Sequence, residues 1–181
     1  MLRAHVIVLL AVALLARPAA AQRSSFGEAA IKAAYVYNFT KFVDWPEAAF
    51  GGSSAPFVVC MFGDNDFRRE LKGIMTREHV HGRPITILEP DANDDLRTCH
   101  LVYFGNDDPD RTARRLAALR QTPVLTVGEG QRFLDQGGQI AFVIEDNRVR
   151  FDIRQEPAAT AGLIVSSKLL RVARQVGRLS P

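Results

Sequence analysis

The sequence predicts an α/β domain: a three-layer α/β/α sandwich with a mostly parallel sheet and an antiparallel hairpin at its edge. Three observations predict it. Runs such as FVVCMF (57–62) and HLVYFG (100–105) are apolar on both faces, as strands are when helices cover both sides of a sheet. Helical patterns separate these runs, which is how crossover connections read. The last pair differs: in RVRFDIR, Arg148, Arg150, Asp152 and Arg154 alternate with Val149, Phe151 and Ile153, the period of a half-exposed strand.

Residues 1–21 stand apart from that domain. Arg3, the apolar run HVIVLLAVALLA (5–16) and the small residues of RPAAA form the three parts of a secretory signal, with Ala19 and Ala21 at the −3 and −1 cleavage positions. Arg17 and Pro18 interrupt the run well before the roughly 20 apolar residues a membrane span needs. The expected mature domain is 22–181. Arg3 and Arg17 leave with the signal, so the formal charge of +3 falls to about +1. A near-neutral domain with no basic block interleaved with aromatics gives no case for nucleic acid as a partner.

Within the domain, FGEAAIKAAYVYNFTKFVDWP (26–46) reads as a helix stopped by Pro46, because the residue before a proline avoids the helical region. Strand 57–62, helix 64–75, strand 83–90, strand 100–105, helix 110–121 and strand 124–128 follow. A short helix, GQRFLDQ, leads into two runs joined by EDN, and a long helix, PAATAGLIVSSKLLRVARQVG, ends the chain. On that helix Lys168, Arg171, Arg174 and Arg178 share one face, opposite Ile164, Val165, Leu169, Val172 and Val176; a solvated cationic face near a helix C-terminus accounts for them, and a docking face for an acidic partner or a lipid surface is the alternative.

Chemical candidates are weak. Ligands of open α/β sheets bind at the carboxyl ends of strands, and the two turns there, GDND (63–66) and GNDDPD (105–110), are acidic. Carboxylates so placed could hold Mg²⁺, but Asp64 and Asp110 also stand where helices begin and serve as N-caps. No phosphate-binding loop of the GxxxxGK[ST] type occurs. His79 and His81 form an HxH pair without a third ligand nearby, and Ser166–Ser167 lack the strand–turn–helix setting of a nucleophile elbow. The expectation is no catalytic residue, no metal and no cofactor. Cys60 and Cys99, the only cysteines, favour a disulfide in an exported chain. The objection is stagger: Cys60 lies inside its strand and Cys99 precedes the next.

Taken together, IKAAYVYNFTKFVDWP, VCMFGDNDF, HGRPITI, CHLVYFG, PVLTVGEGQRFLDQGGQIAFVIEDNRVRFDIR and AGLIVSSKLLRVAR resemble the YfiR-like proteins. The resemblance spans nearly the whole mature chain, in order. It implies a periplasmic, dimeric repressor that binds the periplasmic sensor domain of a membrane-anchored diguanylate cyclase, keeping cyclic-di-GMP low and restraining biofilm formation. It also implies an outer-membrane lipoprotein that sequesters the repressor. Cys60 and Cys99 match a cysteine pair of the family. A second pair is missing, since GGQIAFVIEDNRVRF has no cysteine. Family position and expected exposure point to Asp152, Arg154 and Ala158 as partner-binding residues at the hairpin edge and the turn after it. The alternative is a periplasmic small-ligand sensory module using the acidic strand ends.

The helix at 33–46 raises its own expectation. It is apolar nearly all round, so one face should cover the sheet and the other should meet a second copy or a partner. Tyr35, Phe39 and Phe42 are expected to pack inward, with Tyr37, Lys41 and Trp45 facing outward to that interface; flanking segments burying both sides is the alternative.

Overall fold

The computed structural model describes residues 19–177 apart from 64, 92 and 106, with side chains from residue 27 onward. The predicted signal therefore lies outside the described residues except at 19–21, which open helix α1 (Ala19–Phe42). Along α1, Ala29, Ala33, Val36, Tyr37, Phe39, Thr40 and, just beyond its end, Val43 are buried, recurring every three or four residues as one helical face does. Phe39 meets Phe151 edge-on at 4.9 Å and stacks on Phe142 at 5.8 Å. Tyr35 joins the same ring cluster, 5.2 Å from Phe151. These contacts lay α1 across one face of the sheet.

The helix stops at Phe42, earlier than Pro46. Val43–Asp44 form strand β1, and a 3-10 turn, Glu47–Ala49, follows the proline. The central strands β2 (Phe57–Phe62), β5 (Leu101–Phe104) and β6 (Leu125–Glu129) are buried almost throughout. Strand β4 (Arg83–Leu88) flanks β2, and β3 (His79–Val80) closes that end. On the other side lie β7 (Ile140–Glu145), β8 (Arg148–Arg154) and β10 (Gln175–Gly177), giving the order β10-β8-β7-β6-β5-β2-β4-β3. The run from β4 through β7 is parallel, and β8 turns back antiparallel to β7.

Alternation along the strands feeds two cores. Phe57, Val59, Met61, Leu101, Tyr103, Leu125 and Val127 face α1 and helix α2 (Asn65–Met75), whose Phe67 stacks on Tyr103 at 3.9 Å. Cys60, Val102 and Phe104 face the opposite layer, made by helices α3 (Pro109–Leu119) and α4 (Gly130–Asp135) and the 3-10 turn Leu96–Thr98. The layers are α, β and α, as the apolar runs predict. In the second layer Gly128 and Gly138 flank the buried Phe133 ring so closely that a methyl at either would overlap it.

Cys60 and Cys99 form a disulfide with α-carbons 5.9 Å apart. The stagger expected from simple register is real, since Cys60 stands opposite Val102. It is overcome because the chain leaves its 3-10 turn at Cys99 and crosses back over the face toward which Cys60 points.

Two expectations are corrected at the C-terminal end. The single helix over 157–177 does not form. Instead α5 (Gln155–Thr160), β9 (Ile164–Val165), α6 (Ser167–Val172) and β10 succeed one another. Gly162 takes φ +77°, a conformation that ends helices, and Ser166 caps α6 by accepting from the Lys168 amide at 3.1 Å. The face shared by Lys168, Arg171 and Arg174 on one helix therefore does not exist. The β7–β8 hairpin is the sheet edge only in part: β10 pairs in parallel with β8 over Asp152–Arg154 and leaves 148–150 without a strand beyond among the described residues.

Candidate partner-binding surface

β10 decides what Asp152 can do. It was expected to be exposed by alternation, but the added strand buries it to 2% exposure. A buried carboxylate needs a partner. Arg174 supplies one, donating Nε to Oδ1 at 2.9 Å and Nη2 to Oδ2, and it also reaches Glu145 at 3.4 Å. Asp152 thus fastens the last strand rather than presenting a charge. Ala158 is likewise buried, at 1%, on the inner face of α5. The exposure expected at these two positions is corrected. Arg154 is the accessible member: its Nη2 donates to Asp135 at 3.0 Å. Beside this pair lies a depression of about 310 Å³ lined by Arg120, Leu134, Gly137, Glu156, Pro157 and Thr160.

The orientation expected for α1 is also corrected. Tyr37 and Trp45 are buried. Tyr37 donates its hydroxyl to Glu78, and Trp45 donates Nε1 to the His100 carbonyl at 3.0 Å while packing edge-on against Phe57 at 4.8 Å. Lys41 is exposed as expected, with its ammonium 3.9 Å above the Tyr37 ring. Phe42, expected inside, is exposed at 36%. Flanking elements cover Tyr37 and Trp45, whose hydroxyl and N–H reach partners within the chain.

One pairing was invisible in the sequence. β1 and β9 form a two-stranded antiparallel ladder, Val43 opposite Val165 and Asp44 opposite Ile164, and the Ser166 amide donates to the Phe42 carbonyl at 2.9 Å. This ladder brings the end of α1 to the segment that leaves α5. Phe42, 36% exposed, and Ile164, 67% exposed, leave apolar surface near this ladder. Gly162 and Ser166, a breaker and a cap, mark the helix break that makes it possible but not the partner strand.

The acidic strand ends are occupied by structure. Asp108, not Asp110, caps α3, accepting from the Arg111 amide at 2.9 Å, with Pro109 pre-set at the first helical position. Asp64 lies outside the described residues. Asp107 is paired to Arg115. Glu129 accepts from the Tyr103 hydroxyl at 2.6 Å and from Lys32 at 2.9 Å. Burial opposes charge on Lys32, but Glu129 and Glu28 outweigh it and hold the ammonium above its ordinary range. The depression remaining there is about 90 Å³.

His100 and His81 are held by the fold. His100 Nδ1 accepts from the Val58 amide at 2.9 Å, leaving Nε2–H for the Ala49 carbonyl at 3.2 Å, and the ring stacks on Phe50 and Phe57. Burial, with a smaller push from the nearby Arg83, holds its pKa below the ordinary value. His81 lies 3.1 Å from the Val43 carbonyl, and Ser166 is a cap. Among the described residues no group of three or more His, Cys, Asp or Glu side chains could hold a metal ion, and no helix is long and apolar enough to cross a membrane.

These features define a disulfide-braced three-layer α/β domain in which Asp107, Asp108, Glu129 and Asp152 hold strands and helix ends. The chain belongs to the YfiR/HmsC-like family, whose model matches residues 29–174. No curated protein matches it. Among solved structures it is similar to a conserved domain protein from Vibrio cholerae O1 biovar El Tor, with a TM-score of 0.53 at 10% identity. That likeness covers 80% of this chain and 60% of the other, and it concerns the fold alone.

Proposed function

We propose that this chain is a periplasmic regulator that binds the periplasmic sensor domain of an inner-membrane diguanylate cyclase and inhibits it, lowering cyclic-di-GMP and biofilm formation. The observation that carries this reading is membership of the YfiR/HmsC-like family across 29–174, a regulatory family. The contact surface we assign is the flank of α5: Arg154 before it, Thr160 at its end, and Ile164 with Phe42 beyond. Exposed apolar surface next to a charged residue fits an interface core with a polar rim. Asp152 and Ala158 support this surface from beneath. Lys41 extends it, whereas Tyr37 and Trp45 act by fixing the helix end that carries Phe42. The functional form in this reading is a homodimer, and an outer-membrane lipoprotein competes for it.

The strand-end alternative, a small-ligand sensor, has little room, since Asp107 and Glu129 are already paired around a space of about 90 Å³. Titration calorimetry of the mature chain against the purified periplasmic domain of such a cyclase tests the proposal. Saturable binding, weakened by Ile164→Asp and by Arg154→Glu, is expected. No binding by the folded chain would reject it.

A further inference from the structure

We propose that the outer edge of β8 at Arg148–Arg150, with the apolar groove beside it, receives an extended strand of a partner protein in which apolar and acidic side chains alternate. The site is at the opposite end of β8 from Asp152 and Arg154.

The edge is open there. β10 pairs with β8 only from Asp152 to Arg154, and no strand pairs with the outer side of 148–150 among the described residues. The Phe151 carbonyl accepts from the Arg174 amide at 2.8 Å, so Phe151 presents its backbone outward. The Arg154 amide donates to Gln139, toward β7, at 2.8 Å. Backbone direction alternates along a strand, so Val149 turns its N–H and C=O outward with Phe151. An unpaired edge of this kind is a template for an added strand.

The two faces beside that edge differ. Toward α1 lies a groove of about 440 Å³ with Ile31, Tyr35, Ile144 and Val149 as its apolar wall and Glu28, Arg148 and Arg150 also bordering it. Ile31 is 48% and Ile144 54% exposed, so apolar area there lacks cover. On the opposite face Arg148 and Arg150 alternate with Val149 and Phe151, and both are exposed. Neither has an ion partner among the described residues. The nearby acidic groups are engaged: Glu28 with Lys32 at 2.6 Å and Glu145 with Arg174. Asp146 sits at the hairpin turn, where φ of 48° and 57° at Asp146 and Asn147 fixes the tight two-residue form.

A strand added at this edge would send alternate side chains into the groove and beside the arginines. Apolar residues suit the first set and carboxylates the second, since opposite charges across strands attract. Other occupants fit less well. β10 runs parallel to β8 and leads past Arg154, away from Arg148. Residues 1–18 carry Arg3 and Arg17 but no carboxylate. A second copy placed edge to edge by a two-fold axis would set arginines against arginines. Lipid tails would leave the backbone edge unpaired.

The probe is a fluorescein-labelled peptide of alternating valine and glutamate, titrated by anisotropy against the mature chain. Two control peptides replace glutamate by lysine or N-methylate alternate amides. Binding of the glutamate peptide is expected, with about a tenfold or greater loss for Arg148→Glu/Arg150→Glu, for Ile144→Asp and for either control peptide. Arg114→Glu on α3, a charge reversal on the far layer, should leave it unchanged. Equal affinity for the lysine or N-methylated peptide, or insensitivity to the arginine reversal, would overturn the proposal. So would no binding at concentrations of about 1 mM, tighter binding to anionic vesicles than to the peptide, or a dimer in sedimentation that Ile144→Asp dissolves.

Discussion

Arg174 and Asp152 join the last strand to the sheet: the arginine Nε donates to a carboxylate oxygen at 2.9 Å, and the carboxylate is 2% exposed. The pair is asymmetric, because the arginine side chain keeps 27% of its surface. Removing the arginine strands a buried anion, whereas neutralising the aspartate leaves a cation able to turn toward water. Arg174→Gln is therefore expected to lower the thermal midpoint by several degrees more than Asp152→Asn. Hydrogen exchange at Val176 should speed up in both, reporting release of β10. An equal effect of the two substitutions would count against this picture.

The buried His100 gives the stability a pH dependence. Its pKa is depressed in the fold relative to 6.5, so the unfolded chain binds the proton more readily. The contribution is fully present above pH 6.5 and shrinks as pH falls below it toward the folded value. Urea midpoints measured from pH 7.5 to 5 should fall, and His100→Gln should flatten that part of the curve while lowering it overall. A slope unchanged in the variant would assign it to other groups.

The disulfide closes a loop with a separation of 39 residues. In the chain-entropy model such a link contributes about 4 kcal/mol. Cys60→Ala/Cys99→Ala should lose stability of that order in denaturant unfolding, and reductant should have no further effect on the double variant.

Phe133 between Gly128 and Gly138 predicts intolerance to a single methyl. Gly138→Ala should cost about 1–3 kcal/mol through overpacking. Adding Phe133→Leu, which vacates the ring, should recover part of that loss; no recovery would show that the ring is not the obstacle.

What the sequence made legible follows from which signals are local. β2 and β5 could be read because a strand covered on both faces is apolar at every position, whatever its neighbours. The Arg/Val alternation of β8 was equally plain. Burial of Asp152 was not, because it depends on β10, whose Gln175 pairs with Asp152 from 23 residues later in a stretch that reads as the tail of a helix. The segment 33–46 is apolar nearly all round and carries little phase, so the pattern alone gives the wrong sense at Tyr37, Phe42 and Trp45. The β1–β9 ladder joins segments about 120 residues apart, and no local pattern announces such a pairing. Only Gly162 and Ser166 marked the break that makes it possible.

The most direct test of the central claim is cyclic-di-GMP production by membranes carrying a diguanylate cyclase with a periplasmic sensor domain, with and without the mature chain on the periplasmic side. The account predicts that the chain suppresses output. It also predicts that Arg154→Glu, folded to the same thermal midpoint, requires about tenfold more protein for the same suppression. Output unaffected by a saturating amount of folded chain would contradict it.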